Sequence, residues 1–414
     1  MHGIGTMKEF MRKHRANFMW ILAVAFFFYQ LVLRMWPGLF KNQLMQHWSV
    51  NEQTFGAISS VYYLSYGVMQ IPMAILFERF SYRSVFFVSS VLGGVSFFCM
   101  NAMPSPSIAF AMSTVLGGAS AAGFIGTAKV VSSCFSRARY SLMMGLSAGM
   151  GLWGCIVGKS TLIDTMVKTH GLYNGAMVMG GIFMVLAVLM LFVMRQPENN
   201  QDNAVFSWSD LGVLLRSPLM WALGMVNFLL VGPQGAFADV WGSNYLTDVQ
   251  GLMRSDALDL VQYIFWGLVV GSPLMPALGK RMTDFGVTVL CGVSMTVFFM
   301  WLLFVPLPSS MGVCRFAMFF LGVICGYQTN LLSIGVDFVE SQMMGVTAGL
   351  LNSLNMIGGA FFNACVGFVM SMYSGSGSKE AYVASLMVIP ILACAGAVLL
   401  VMTRMSKFWK KIKT

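Results

Sequence analysis

Along this chain apolar side chains come in long runs, separated by short polar punctuation, and show no strand-like alternation. Runs near or above the roughly 18 residues that a helix needs to cross about 30 Å of hydrocarbon recur from end to end. They predict twelve spans, at 17–39, 54–77, 83–103, 107–130, 140–162, 172–194, 218–246, 257–279, 285–305, 311–333, 343–372 and 381–403, with a longer polar link at 195–217. The pattern also repeats. A shift of 202 residues lays NQL (42–44) on NYL (244–246) and MPSPS (103–107) on VPLPS (305–309), and a shift of 200 lays MMGLSAG (143–149) on MMGVTAG (343–349). Six spans followed by six in the same orientation predict an all-α membrane protein of two six-helix bundles related by a pseudo-twofold axis along the membrane normal. The division falls at 1–194 and 218–414, with 195–217 as a cytoplasmic linker and a solute site between the bundles near the midplane.

Composition excludes a soluble core: 57% of the residues are apolar, 10% are charged and the mean hydropathy is +0.74, against roughly a quarter charged in soluble domains. The net charge of +10 reflects topology and not nucleic-acid binding. Most lysines and arginines fall in the segments before span one, between even and odd spans, and after span twelve, whereas the opposite loops carry only Lys41, Lys168, Arg254 and Lys379. The inside-positive rule then predicts a multi-pass protein with both termini cytoplasmic, its basic C-terminus touching anionic lipid at most. The first apolar run is too long and bulky for a cleaved signal peptide and reads as a retained span. The eight cysteines are scattered without metal or redox spacing, and no glycosylation sequon occurs, which fits a bacterial inner membrane. No enzyme motif, metal set or cofactor fingerprint is present, so neither catalysis nor a cofactor is expected. The 37 methionines follow no fixed spacing and read as adaptable packing.

Between spans two and three runs AILFERFSYR (74–83). It resembles the G-x-L-x-D-R-x-G-x-R signature of the major facilitator superfamily, with Leu76, Glu78 for the aspartate, Arg79 and Arg83 in place, and Ala74 and Ser81 for its glycines. The resemblance extends over essentially the whole chain. It implies that superfamily's twelve-helix fold and a conformational latch at Glu78, Arg79 and Arg83, a carboxylate beside arginines that pairs with the neighbouring bundle. The symmetric loop, PALGKRMTDF (276–285), keeps only a basic pair. Within the superfamily, the FYxxxLRxxPG entry of span one, FADVWGSNYL of span seven and GLLNSLNMIGG of span eleven resemble the phagosomal transporters of intracellular bacteria, which import amino acids or nucleosides. GLSAGMGLWGCIVG (145–158) is similar to the antiporter motif but lacks its Gly-Pro, which disfavours an exporter. Ser113 stands where members often carry an arginine in span four, and Arg315 occupies the symmetric position in span ten.

Gln30 and Arg34 share one face of span one, and an arginine in hydrocarbon costs ~2.5 kcal/mol or more, so a wet cavity is expected; the alternative is snorkelling to the headgroups. Tyr62, Tyr66 and Gln70 form an i, i+4 stripe on span two suited to gripping a small organic solute, or to helix packing. Asp239 is the only acid well inside the second bundle. The repeat sets it level with Arg34, so the two either take a solute's carboxylate and ammonium, with Asp239 also able to hold a coupling proton, or close an outer gate as a salt bridge. Gly-Pro-Gln-Gly (232–235) should loosen span seven and offer Gln234 to the cavity. Gln262 and Trp266, Tyr327 and Gln328, and Asn352 and Asn355 either line the path or make interhelical hydrogen bonds. Of these, Gln234, Trp266, Gln328 and Asn352 join Gln30, Arg34, Tyr62, Tyr66, Gln70 and Asp239 as expected substrate-binding residues. Lys159 and Arg315 read as snorkelling side chains about one turn from the outer surface.

These readings converge on a monomeric secondary transporter that takes up a small polar organic solute, an amino acid or similar metabolite, with protons as coupling ion and lipid as its only other partner. Two alternatives remain. An organic-anion or phosphate-ester exchanger would share Arg34 and GAISS (56–60), but such exchangers usually place a second basic residue in span seven, where this chain has Asp239. A transporter-like sensor or membrane scaffold is disfavoured because the longest link, 195–217, offers no sizeable soluble domain for signalling.

Overall fold

The structure, a computed structural model, describes residues 15–135, 137–195, 208–339, 344–373 and 378–405. Eleven of its described helices are long and apolar enough to cross a bilayer, and a shorter apolar run, Met143–Gly158, supplies the remaining span. Span one is Arg15–Arg34 continued by Trp36–Leu39; spans two to six are Glu52–Arg79, Tyr82–Ala102, Pro106–Cys134, Arg137–Gly158 and Thr161–Val193. Span seven runs from Pro218 to Asp248. Spans eight and nine are Arg254–Met282 and Asp284–Phe304, span ten is Met311–Cys325 continued by Gln328–Asp337, span eleven is Met344–Met372, and span twelve is Ser378–Leu386 continued by Val388–Met405. The helices begin where polar side chains can cap them. The Asn51, Ser81, Ser105 and Thr283 side chains accept from the backbone amides of Thr54, Ser84, Ile108 and Gly286 at the starts of spans two, three, four and nine.

The expected spans are all present; spans ten and twelve are each interrupted once, and spans six and one depart from single straight runs for reasons visible in their residues. The helix of span six starts at Thr161, eleven residues before the expected start at 172, and breaks at Gly171, whose φ of +85° lies in the left-handed region that glycine reaches without penalty. The helical segment Thr161–His170 on the far side of that break therefore extends the span. Span one breaks at Met35, because Pro37 cannot donate to the ladder and restarts the helix at Trp36.

Inside lipid there is no hydrophobic drive between helices, so association rests on close packing. Span one packs on spans four and five, span two on four, and span three on six; span seven packs on eleven and twelve, span eight on ten, and span nine on twelve. Glycines let these backbones approach. An ideal Cβ at Gly322 would lie 1.9 Å from the Ile264 carbonyl oxygen, and one at Gly154 would lie 2.3 Å from that of Phe28. Across the two halves, span two packs along span eleven, where Gly56 meets Gly367 and Gly359 meets the ring of Tyr63. Span five packs on span eight.

Gly322→Ala should cost about 1–3 kcal/mol, since neither backbone can yield to the added methyl. Gly181→Ala, where a Cβ meets nothing within 4 Å, should be neutral or stabilise by up to about 1 kcal/mol. Thermal unfolding of the purified variants in detergent compares the two.

Candidate functional site

The sequence feature that builds the site is the break in span one. Because the first helix stops at Arg34, the guanidinium sits at a helix end, and Gly38 just beyond it lets span one run against span seven. A Cβ at Gly38 would lie 2.1 Å from the Asp239 carbonyl oxygen. Span seven answers with its own irregularity. After Gly-Pro-Gln-Gly, residues Ala236–Trp241 form a π-helical turn, the loosening expected from that run. The wider turn carries Asp239 toward span one.

Arg34 Nε donates to Asp239 Oδ2 at 2.7 Å, and a guanidinium Nη closes a second contact to the same oxygen. Tyr63, from span two, donates its hydroxyl to that oxygen at 2.5 Å, and its ring lies 5.1 Å below the guanidinium carbon. Asp239 is 1% exposed while the Arg34 side chain keeps 16%, so the pair is dry on the carboxylate side and open on the guanidinium side. Asp239 Oδ1 has no hydrogen-bond partner. A buried carboxylate with an idle oxygen is costly, so the charge pair and the tyrosine must hold it.

Below the pair lies a cavity of about 230 Å³ shared by the two bundles. Arg34, Tyr63, Tyr66 and Asp239 line it together with Gln234, Gln328, Asn352 and Asn355, and Phe27, Phe124 and Phe265 provide apolar walls. Its polar residues are partly committed to one another: Gln328 donates to Gln234 at 2.6 Å, and Asn352 donates to Gln70 at 2.9 Å. Gln70 Nε2 is left without a partner in a buried position. A Cβ at Gly145 or Gly149 of span five, or at Gly349 of span eleven, would meet nothing within 4 Å. At the end of the helices where these glycines lie, the three positions therefore lack the tight backbone contact seen at Gly38.

The opposite, distal face is closed by ties between the bundles. Gly38 O accepts from Asn244 Nδ2 at 3.2 Å, and Gln262 Nε2 donates to Lys159 O at 3.0 Å. Arg254 Nε bonds Asp164 Oδ1 at 2.9 Å, and its Nη2 reaches Leu39 O. Lys159 departs from the snorkelling expectation: it is fully buried, with Nζ 3.3 Å from Ser243 Oγ, because the distal ends of spans one and seven close over it. Arg315 does lie at the surface, paired with Asp259 at 2.8 Å.

Of the expected binding residues, Arg34, Tyr66, Gln234, Asp239, Gln328 and Asn352 line the main cavity. Gln30 and Tyr62 stand behind its wall, bonded to each other at 3.0 Å, and Gln70 touches the cavity only through Asn352. Trp266 faces away: it is 44% exposed on the outer surface. Its neighbours Phe265 and Leu268 occupy the inner face of span eight, and the rotation of about 100° per residue turns position 266 from it. Tyr63 escaped the sequence reading, although 63, 66 and 70 also share a helical face at i, i+3 and i+7. At the expected latch, the Glu78 side chain lies outside the described structure. Arg79 is exposed, and Arg83 donates to Met194 O at 3.1 Å, within its own bundle.

A family model described as Major Facilitator Superfamily matches residues 22–363. Inner membrane transport protein YdiN of Escherichia coli (strain K12) is 24% identical over 313 residues, covering 73% of this chain and 70% of that protein. Among solved structures, the nucleoside transporter NupG superposes with a TM-score of 0.75 at 14% identity, over 95% of this chain and all of that one. A bacterial homologue of the human lysosomal transporter Spinster, solved inward-facing and unoccupied, gives 0.71 at 12% identity, over 94% and 95%.

Asp239→Asn should destabilise the protein by about 3–5 kcal/mol, because Arg34 is then left without a counter-charge beside a closed interface. The double variant Arg34→Met/Asp239→Asn should recover much of that loss. Thermal unfolding of the wild type, both single variants and the double variant measures the coupling.

Proposed function

Because the chain belongs to the Major Facilitator Superfamily, a family of multi-pass membrane transporters and not of enzymes, we propose that it takes up a small polar organic solute by alternating access, driven by protons. The observation that carries the reading is the shared cavity of about 230 Å³ roofed by the Arg34–Asp239 pair. Its volume suits a metabolite of amino-acid size. Its charged lining groups are one cation and one anion, a balance that favours a zwitterion or a neutral polar solute over a phosphate ester. The exposed edge of Arg34 takes a solute carboxylate, and Asp239, freed from it, takes the solute's ammonium or a proton. Gln234, Gln328, Asn352 and Asn355 supply the amide donors and acceptors that orient the solute.

In this reading the bundles 1–194 and 218–414 rock about the cavity, with 195–217 as the connecting link; residues 196–207 lie outside the described structure. The closed distal face is the outer one, the chain ends lie in the cytoplasm of a bacterial cell, and the protein works as a monomer. Capture of Arg34 by solute loosens the pair that holds spans one and seven together, which couples binding to opening.

Uptake of radiolabelled amino acids into proteoliposomes tests this. We expect one class to accumulate, with an inward proton gradient raising the initial rate. Arg34→Ala and Asp239→Asn should each reduce the rate by at least about thirtyfold. Uptake indifferent to an imposed pH gradient sinks the coupling; phosphate counterflow without amino-acid uptake replaces the substrate class with the exchanger alternative.

A further inference from the structure

Lys41 lies in the distal segment between spans one and two, in the short helix Lys41–Trp48, yet it is only 3% exposed. Its ammonium is enclosed by the second bundle. Nζ stands 5.0 Å from the ring centre of Trp241 and 5.3 Å from that of Tyr382, and it donates to the Tyr382 hydroxyl at 3.3 Å. The same hydroxyl donates to Asp248 Oδ2 at 2.8 Å, which sets a carboxylate behind the rings. Burial pulls the ammonium below the ordinary lysine pKa, while Glu52 and Asp248 oppose that shift. Two electron-rich faces and a nearby acid form the enclosure that binds organic ammonium groups.

The cage and its occupant belong to different bundles. Trp241 and Asp248 lie on span seven and Tyr382 on span twelve, and Tyr382 is tied to span seven by its bond to Asp248 and by Tyr245, whose ring packs edge-on to it at 5.9 Å. Lys41, and Phe55 against Trp241 at 5.8 Å, come from the first bundle. When the bundles part at this face, the first bundle withdraws the cation and the second keeps the cage whole. Trp241 is two residues beyond Asp239 on the same π turn, so the cage and the buried pair are carried by one segment of span seven.

We infer that Trp241, Tyr382 and Asp248 form a distal binding site for an organic ammonium group, filled by Lys41 when the face is closed and by the amine of an external solute when it is open. The site rests on the alternating-access reading for its exposure. It takes primary or methylated ammonium compounds, and an occupant delays the return of Lys41, holding the distal face open until the solute moves inward.

The test uses the full-length protein in detergent with n-propylammonium chloride as probe, a mimic of the lysine side-chain end, against potassium chloride and 1-propanol. Lys41→Ala should lose thermal stability, and the probe alone should restore it saturably. Lys41→Ala/Trp241→Leu should not respond. In the wild type the probe should raise hydrogen exchange of the amides at 41–48 by at least about fivefold, the size of a modest coupling between ligand and conformation. A folded Lys41→Ala that responds equally to potassium chloride or 1-propanol, or to nothing, overturns the cage and leaves the transport reading intact. Rescue of Lys41→Ala with an unresponsive wild type overturns the external site and counts against the parting of the bundles as well. If Lys41→Ala does not fold, the wild type and Tyr382→Phe decide: the site stands if the probe opens the former several-fold more than the latter, and falls if it opens both alike or neither.

Discussion

A charge removed from water must be met by another, and in this protein that demand falls on the boundary between two bundles. Arg34 belongs to one half and Asp239 to the other, and among the described residues neither forms an ion pair within its own half. The two halves are therefore held together by a pair that is strong only while they are closed. A buried ion pair between rigid bodies is a bistable element: parted, each member needs water, a proton or a solute in place of the other. The local irregularities serve that geometry. The helix break before Pro37, the close approach at Gly38 and the π turn around Asp239 bring two backbones near enough for the side chains to meet.

Around this pair the structure divides its labour by depth. Below the pair the cavity is lined by amides, phenols and phenylalanines from both bundles. At the distal face the same helices converge, and polar groups that would be costly in lipid bond across the interface instead: Asn244 to Gly38, Gln262 to Lys159, Arg254 to Asp164. These contacts are numerous and individually modest, so no one of them needs to be broken at great cost when the face opens. Lys41 and Lys159 add cations to the same closure, which makes the distal interface rich in positive charge from the first bundle.

Much of the framework was legible in the primary structure because its cause is local. A run of about twenty apolar residues has few alternatives to a spanning helix in hydrocarbon, where each backbone amide must bond within its own segment. The repeat relates the halves without reference to any contact, and it sets Arg34 level with Asp239. Tyr66, Gln234, Gln328 and Asn352 were recognisable as polar groups on otherwise apolar helices.

What the sequence alone determined, then, was the number and order of the spans, their repeat and the shared depth of Arg34 and Asp239, since each follows from residue type and spacing. Only the tertiary structure decided which polar group faces which. Trp266 turned outward while its neighbour Phe265 turned in. Tyr63 rather than Tyr62 reached Asp239. Lys159 and Lys41, read as surface or loop cations, became buried. The reason is rotational. Periodicity sets which residues share a face of a helix, but which way that face points, and what stands opposite, depends on packing against helices remote in the chain, at crossings set by glycines such as Gly38 and Gly322.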